Sequence, residues 1–180
     1  QRRGPPPHGR VAARRADGVV LGHRAVKPII SVIGGGTCTP DEAAVATMVG
    51  RLLAEQGAIL VCGGLGGVME AAAQGAQAAG GITVGLLPGA DPAAANPYIA
   101  VPLATRLGEM RNVLIVQVAQ ALIAIGGGSG TLSEIAVAQR IGKPVVGLHD
   151  AFMNAVDIPR VGSPADAVRW ALERAQGRVV

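Results

Sequence analysis

The six residues Gly126-Gly127-Gly128-Ser129-Gly130-Thr131 hold four glycines, a serine and a threonine, between an apolar run and a stretch of helical character. This is the composition of a phosphate cradle. The first turn of a helix has unpaired N–H donors and the positive end of the helix dipole, and glycine lets an anion's oxygens approach the backbone. Two further clusters, Gly34-Gly35-Gly36 and Gly63-Gly64-Leu65-Gly66-Gly67, also follow apolar runs. Tight turns in any parallel sheet use glycine, so one cluster would say little. Three at equivalent places argue for an anionic ligand. Two charged residues accompany the third cluster. Glu134 follows it in the next helix, and Arg111 precedes it in Gly108-Glu109-Met110-Arg111-Asn112. Both are candidates for the chemistry of such a site, and both have a plain structural alternative. Glu134 could close a capping box in Thr131-Leu132-Ser133-Glu134, and Arg111 could sit on a helix surface paired with Glu109.

These turns need elements to hold them. Ile29–Ile33, Ala58–Cys62, Ile82–Leu87, Ala121–Ile125 and Pro144–Leu148 read as buried strands, with a short extended piece at Tyr98–Val101. Thr39 suits an N-cap, Pro40 the first helical position and Glu42 the closing residue of a capping box, for a helix to about Gln56 with Gly57 as its stop. Further helices are expected from the second glycine cluster to about Ala79, from about Gly108 to Ala119, over Leu132–Ile141, and from the Ser163-Pro164 cap to about Gln176. Pro88 to Pro97 is a loop long enough to cover a ligand. Strand–helix alternation with continuously apolar strands predicts an α/β fold: a doubly wound, Rossmann-like parallel sheet with helices on both faces, in a single domain over 28–180. In such sheets ligands sit beyond the C-terminal strand ends, where the glycine clusters fall.

Composition narrows the function. The chain has 180 residues, 49% of them hydrophobic, which is enough for a real core. Tyr98, Phe152 and Trp170 are its only aromatics, too few for a base-stacking platform. Residues 1–27 carry seven basic residues against Asp17 alone, a net +6, while the remainder is −2. The basic character therefore belongs to a Pro/Gly/Arg-rich leader expected to be disordered, and nucleic acid is not expected as a partner of the domain. No apolar stretch is long enough to span a bilayer, so no membrane partner is expected. Cys38 and Cys62 lie in no metal-like or redox spacing and read as reduced thiols of a cytoplasmic protein. No carboxylate or histidine cluster suggests a metal site, and no bound cofactor is called for. His8 and His23 fall in the leader, and His149-Asp150 reads as a polar loop.

Several nucleotide motifs are absent. Gly34-Gly35-Gly36-Thr37 does not complete GxGxxG, no GxxxxGK[ST] occurs, and Ser129 is one place off a GxSxG elbow. What the sequence does resemble is the LONELY GUY (LOG) family, within the lysine-decarboxylase-like Rossmann superfamily. Gly126 to Glu134 resembles that family's PGGxGTxxE motif, and Cys62-Gly63-Gly64-Leu65-Gly66-Gly67-Val68-Met69 resembles its second glycine turn. Arg111 stands at the family's separation from Glu134. The likeness covers about residues 29–177. Leu107-Gly108-Glu109-Met110-Arg111-Asn112, Ile125 to Gly128 and Gly142-Lys143-Pro144-Val145-Val146-Gly147-Leu148 resemble most the branch with molybdenum cofactor carrier-like proteins. Gly126 replaces the family proline, Asn112 the usual lysine, and Ser129 the usual aromatic.

The resemblance implies hydrolysis of the N-glycosidic bond of a nucleoside 5′-monophosphate, releasing base and ribose 5-phosphate. Glu134 would stabilise oxocarbenium charge on the ribose, and Arg111 would hold Glu134 ionised and pair with phosphate or ribose oxygens. Gly127, Gly128, Ser129, Gly130 and Thr131 would bind the phosphate, with Gly35, Gly63, Gly64, Gly67 and Met69 bordering the nucleotide. The alternative implied by the narrower branch is a non-catalytic carrier or sensor of a phosphate-bearing cofactor such as molybdenum cofactor, using the same cradle. A third possibility is an interaction protein whose glycine turns are mere connections. The family likeness also implies a homo-oligomer, a dimer or tetramer.

Overall fold

The fold is described here from a computed structural model, over residues 26–148 and 156–177. The expectations for the leader up to residue 25, including His8 and His23, and for His149-Asp150 lie outside these residues.

The apolar runs form six strands: β1 (Ile29–Gly34), β2 (Ile59–Cys62), β3 (Ile82–Leu87), β4 (Val101–Ala104), β5 (Ala121–Ile125) and β6 (Val145–Leu148). Between them lie α1 (Pro40–Glu55), α2 (Val68–Ala78), α3 (Arg111–Val118) and α4 (Ser129–Arg140), with α5 (Pro164–Gln176) last. All strand pairs are parallel, in the order β4-β3-β2-β1-β5-β6. The chain thus winds outward from β1 to β4, then returns to lay β5 against the other side of β1. The reversal point lies between β1 and β5, whose register runs from Ile30 opposite Ala121 to Gly34 opposite Ile125. A crevice at their C-terminal ends follows from this topology.

Both sheet faces are covered, which is why the strands are apolar throughout. Ile30, Val32, Ile123 and Ile125 pack with Val49 and Leu53 of α1, Ala72 of α2 and Ala171 of α5. Ile33, Leu122 and Ala124 point to the other face, against Ile115 and Val116 of α3 and Ile135 and Ala138 of α4. Ser31 is buried on that second face, and its hydroxyl donates to the Ile115 carbonyl at 2.8 Å, which satisfies it. Helices α1 and α2 touch backbone to backbone. A Cβ at Gly50 would collide with the Ala72 carbonyl, and one at Gly75 with the Thr47 carbonyl.

Local signals explain the helix starts. Thr39 caps α1 by accepting from the Glu42 amide at 3.2 Å, while the Glu42 carboxylate accepts from the Thr39 amide at 2.8 Å. Ser163 caps α5 in the same way through the Asp166 amide. Three expectations need correction. The fourth strand is displaced to Val101–Ala104, because the Thr83 hydroxyl donates to the Tyr98 carbonyl and accepts from the Ala100 amide, holding residues 98–100 in a turn. Residues 108–110 form a 3-10 turn, and α3 proper starts at Arg111. Helix α4 starts at Ser129 rather than Leu132, so Ser129, Gly130 and Thr131 are its first turn and Gly128 its N-cap. Among the described residues no helix is long and apolar enough to cross a membrane.

Candidate functional site

A cleft of about 840 Å³ opens at the reversal point between β1 and β5. Gly127, Gly128, Ser129, Gly130, Thr131 and Glu134 line one wall, Gly35, Gly63 and Met69 another, and Arg111 closes the floor. Ten of the twelve residues singled out in the sequence are therefore brought together. Gly64 and Gly67 are not among the lining residues, and the reason is packing. Gly64 approaches Gly85 of β3, where a Cβ would stand 3.0 Å from the Gly85 Cα. Gly67 has φ +66 and presses on the backbone of Gly35 and Gly36, and the next amide, Val68, donates to the Gly35 carbonyl at 3.0 Å. Their lack of a side chain joins neighbouring turns. The loop 88–97 does not line the cleft either. Asn96 ties it to the second glycine turn, through its amide to the Gly64 carbonyl and its side chain to the Leu65 carbonyl.

The three glycine turns are not equivalent. The helix after the first, α1, has its N-terminus closed by the Thr39–Glu42 capping box. The helix after the second begins with an amide already bonded to Gly35. Only α4 opens on the cleft with no side-chain cap and no acidic residue in its first turn. The Leu132 amide bonds to the Gly128 carbonyl, which leaves the amides of Ser129, Gly130 and Thr131 ahead of the helical ladder. The capping box that is the plain structural alternative for Thr131–Glu134 does not form, because Thr131 is inside the helix and the N-cap is Gly128.

Arg111 and Glu134 are both buried, at 8% and 6% exposure. Arg111 Nη1 donates to Asn112 Oδ1 at 2.8 Å, and its Nε is buried with no hydrogen-bond partner. A buried donor left unpaired carries a desolvation cost. Glu134 has neither a hydrogen-bond partner nor an ion pair among the described residues. Burial pushes its carboxyl up to about 7, and the nearby Arg111 charge offsets only part of that rise. Burial and the Arg111 charge thus act on the Glu134 carboxyl in opposite directions, burial the more strongly. Burial also lowers the Arg111 pKa, with Glu134 the first of the groups opposing it.

The sequence pattern did not single out Thr37, Cys38, Leu65, Glu109 and Asn112, which also line the cleft, nor did it place Glu42 there. Glu42 was legible only as a capping residue. Its other carboxylate oxygen lies where a Cβ of residue 126 would be, and Gly126 has φ +52. Proline, fixed near φ −65°, cannot take that conformation, which accounts for glycine at this family position. Cys62 lies buried beneath the site, and burial pushes its thiol up to about 11. Among the described residues no three His, Cys, Asp or Glu side chains gather as metal ligands would.

A parallel sandwich with this reversal point and these glycine turns defines a LOG-like Rossmann protein near the branch of molybdenum cofactor carriers. The chain belongs to the SLOG cluster4 family, whose model matches residues 27–167. It is 48% identical over 144 residues to an uncharacterized protein of Archaeoglobus fulgidus, covering 79% of this chain and 93% of that one. Among solved structures it resembles the molybdenum cofactor binding protein of Rippkaea orientalis, with a TM-score of 0.78 and 36% identity, over 83% of this chain and 98% of that one. It also resembles the molybdenum cofactor carrier protein of Chlamydomonas reinhardtii, with a TM-score of 0.75 and 32% identity, over 85% and 100% of the two chains.

Proposed function

We propose that this protein binds and carries a phosphate-bearing cofactor, with molybdenum cofactor as its cargo, and does not turn it over. The observation that carries the proposal is the likeness over nearly the whole of two chains, one named for binding molybdenum cofactor and the other for carrying it. The cleft fits such a cargo. Its volume is within the usual range for small ligands, about 300–1,000 Å³. The amides of Ser129, Gly130 and Thr131 offer donors to a phosphate, and the Arg111 guanidinium lines the same cleft.

Hydrolysis of nucleoside monophosphates, the first expectation from the family motif, has weaker support. Neither of the two solved relatives is named for hydrolysis, and Glu134 makes no ion pair among the described residues that would hold it ionised. Homo-oligomer formation, as a dimer or tetramer, belongs to the same proposal. The exposed Val101 and Leu103 of edge strand β4, beside Leu107 and Met110, support it.

The test is anaerobic purification from a host that makes molybdenum cofactor, followed by elemental analysis for molybdenum and fluorescence of the oxidised pterin. Both should be retained in near-stoichiometric amount and released to a cofactor-free molybdoenzyme. Release of free base from a panel of nucleoside 5′-monophosphates, abolished in Glu134→Ala, would overturn the carrier reading in favour of the hydrolase.

A further inference from the structure

We propose that Asn112 is a ligand-binding residue of the phosphate subsite: its side-chain NH2 group donates to the phosphoryl group at the first turn of α4, while its carbonyl oxygen holds the Arg111 guanidinium in the same cleft. This rests on the carrier reading and adds a residue to the binding set of its site.

Two contacts carry the inference. The first is the bond from Arg111 Nη1 to Asn112 Oδ1 at 2.8 Å. A guanidinium has donors and no acceptor, so the atom facing it must be the carboxamide oxygen. The NH2 group of the planar carboxamide is therefore turned away from Arg111. The second contact shows where it goes. Asn112 Nδ2 stands 4.0 Å from the place a Cβ at Gly130 would take. Outside the residues adjoining Gly130 and the backbone of α4, no heavy atom comes closer to that place. The packing accounts for the meeting. Helices α3 and α4 cover the same sheet face through Ile115 and Ile135, which sets the second residue of α3 beside the second residue of α4. The bare Cα of Gly130 keeps the space between the NH2 group and the helix turn open.

Nothing in the protein uses this donor. Asn112 Nδ2 has no hydrogen-bond partner among the described residues, and it is not among the atoms shut off from the cleft that Asn112 lines. Arg111 is only 8% exposed yet lines the same cleft, and the bond to Asn112 is the one hydrogen bond of its guanidinium among the described residues. A buried cation, an unused NH2 group and the three helix amides ahead of the α4 ladder thus form a set of donors without an acceptor. A phosphate monoester brings three free acceptor oxygens, and hydrogen bonds to such an anion are the stronger kind.

The experiment follows the isotope-labelled full chain by NMR as inorganic phosphate is added. The side-chain NH2 signals of Asn112, assigned through the residue's own backbone, should shift on the same binding curve as the backbone amides of Ser129, Gly130 and Thr131. Asn112→Leu, neutral and similar in size, and Asn112→Asp should each need at least about tenfold more phosphate, the ratio for losing one hydrogen bond to a charged group. Urea midpoints check that both variants fold, and the side-chain signal decides the matter even where one does not. Asn112 NH2 signals that stay still while the backbone amides shift overturn the inference and leave the carrier reading standing. An unchanged affinity in folded Asn112→Leu does the same, since any loss in Asn112→Asp would then come from its added charge. If phosphate moves none of these signals, the cradle is not an anion site and both readings fall.

Discussion

The Arg111 guanidinium rests against the bare Cα of Gly63: a methyl added there would stand 2.6 Å from Nη1 and 2.7 Å from Nη2. The second glycine turn therefore takes part in the cleft by leaving room for the cation of α3. The same methyl would meet Met69 Sδ at 2.6 Å, and both neighbours are ends of flexible side chains that can move aside. Gly63→Ala should fold with a stability within about 1 kcal/mol of the unmutated protein and lose about tenfold in phosphate affinity, because Arg111 is pushed off the floor. Urea denaturation alongside the phosphate titration separates the two effects. A loss of stability without loss of affinity would show that Arg111 does not serve the ligand.

The Glu134 carboxyl makes stability depend on pH in a defined direction. Below its ordinary value of 4.5, folded and unfolded chains are both protonated there, and the group adds no penalty. As pH rises from 4.5 through about 7 the unfolded chain gives up the proton while the folded chain keeps it, so the fold loses stability. Above 7 the loss is complete, and it amounts to about 3 kcal/mol at most. Glu134→Gln should match the unmutated protein near pH 5 and exceed it increasingly toward pH 8, as read from urea midpoints. Equal midpoints across that interval would mean the carboxyl is better solvated than its burial indicates.

Gly126 and Glu42 are coupled through space. An alanine at 126 meets both an unfavourable φ of +52 and the Glu42 carboxylate. The expected cost of Gly126→Ala is about 2–3 kcal/mol, from left-handed backbone strain plus disturbance of the α1 cap. Glu42→Ala on the same background should recover part of that cost, giving a double-mutant cycle with coupling above about 0.5 kcal/mol. Strict additivity would place the whole effect in the backbone of residue 126.

Helices α1 and α2 cross on glycine, and neither backbone can yield. Gly50→Ala and Gly75→Ala should each cost about 3 kcal/mol or more, since each new methyl faces a carbonyl oxygen of the other helix. Thermal unfolding monitored by circular dichroism reads this directly. A shift in Tm of only a degree or two in either variant would show that the two helices can part without loss.

Much of the fold was legible because its signals are local and reinforce one another. Ile82–Leu87 and Ala121–Ile125 are strands with the very limits their apolar runs suggest. Thr39-Pro40-Asp41-Glu42 starts α1 as a capping box should. The fourth strand is not legible, because Tyr98-Ile99-Ala100 has stronger strand character than Val101-Pro102-Leu103. What decides it is a distant contact, the Thr83 hydroxyl holding the Tyr98 carbonyl. The start of α4 is hidden because glycine is a poor helix former, yet Ser129 to Thr131 need only follow an N-cap. The cleft residues on the third glycine turn were legible from composition. Glu42 was not, since a motif that already explains a residue gives no sign that its second oxygen faces elsewhere. The roles of Gly64 and Gly67 were also hidden, because glycine for ligand access and glycine for backbone contact look alike in a sequence.

The two strands that frame the cleft are neighbours in the sheet but far apart in the chain: the Ile29 amide bonds to Gln120 across 91 residues. During synthesis one edge of β1 must wait, open and apolar, until residues 121–125 leave the ribosome. The cradle therefore exists only once the last third of the domain has arrived. Until then the cleft lacks its third glycine turn and the β5-facing edge of β1 stays unpaired.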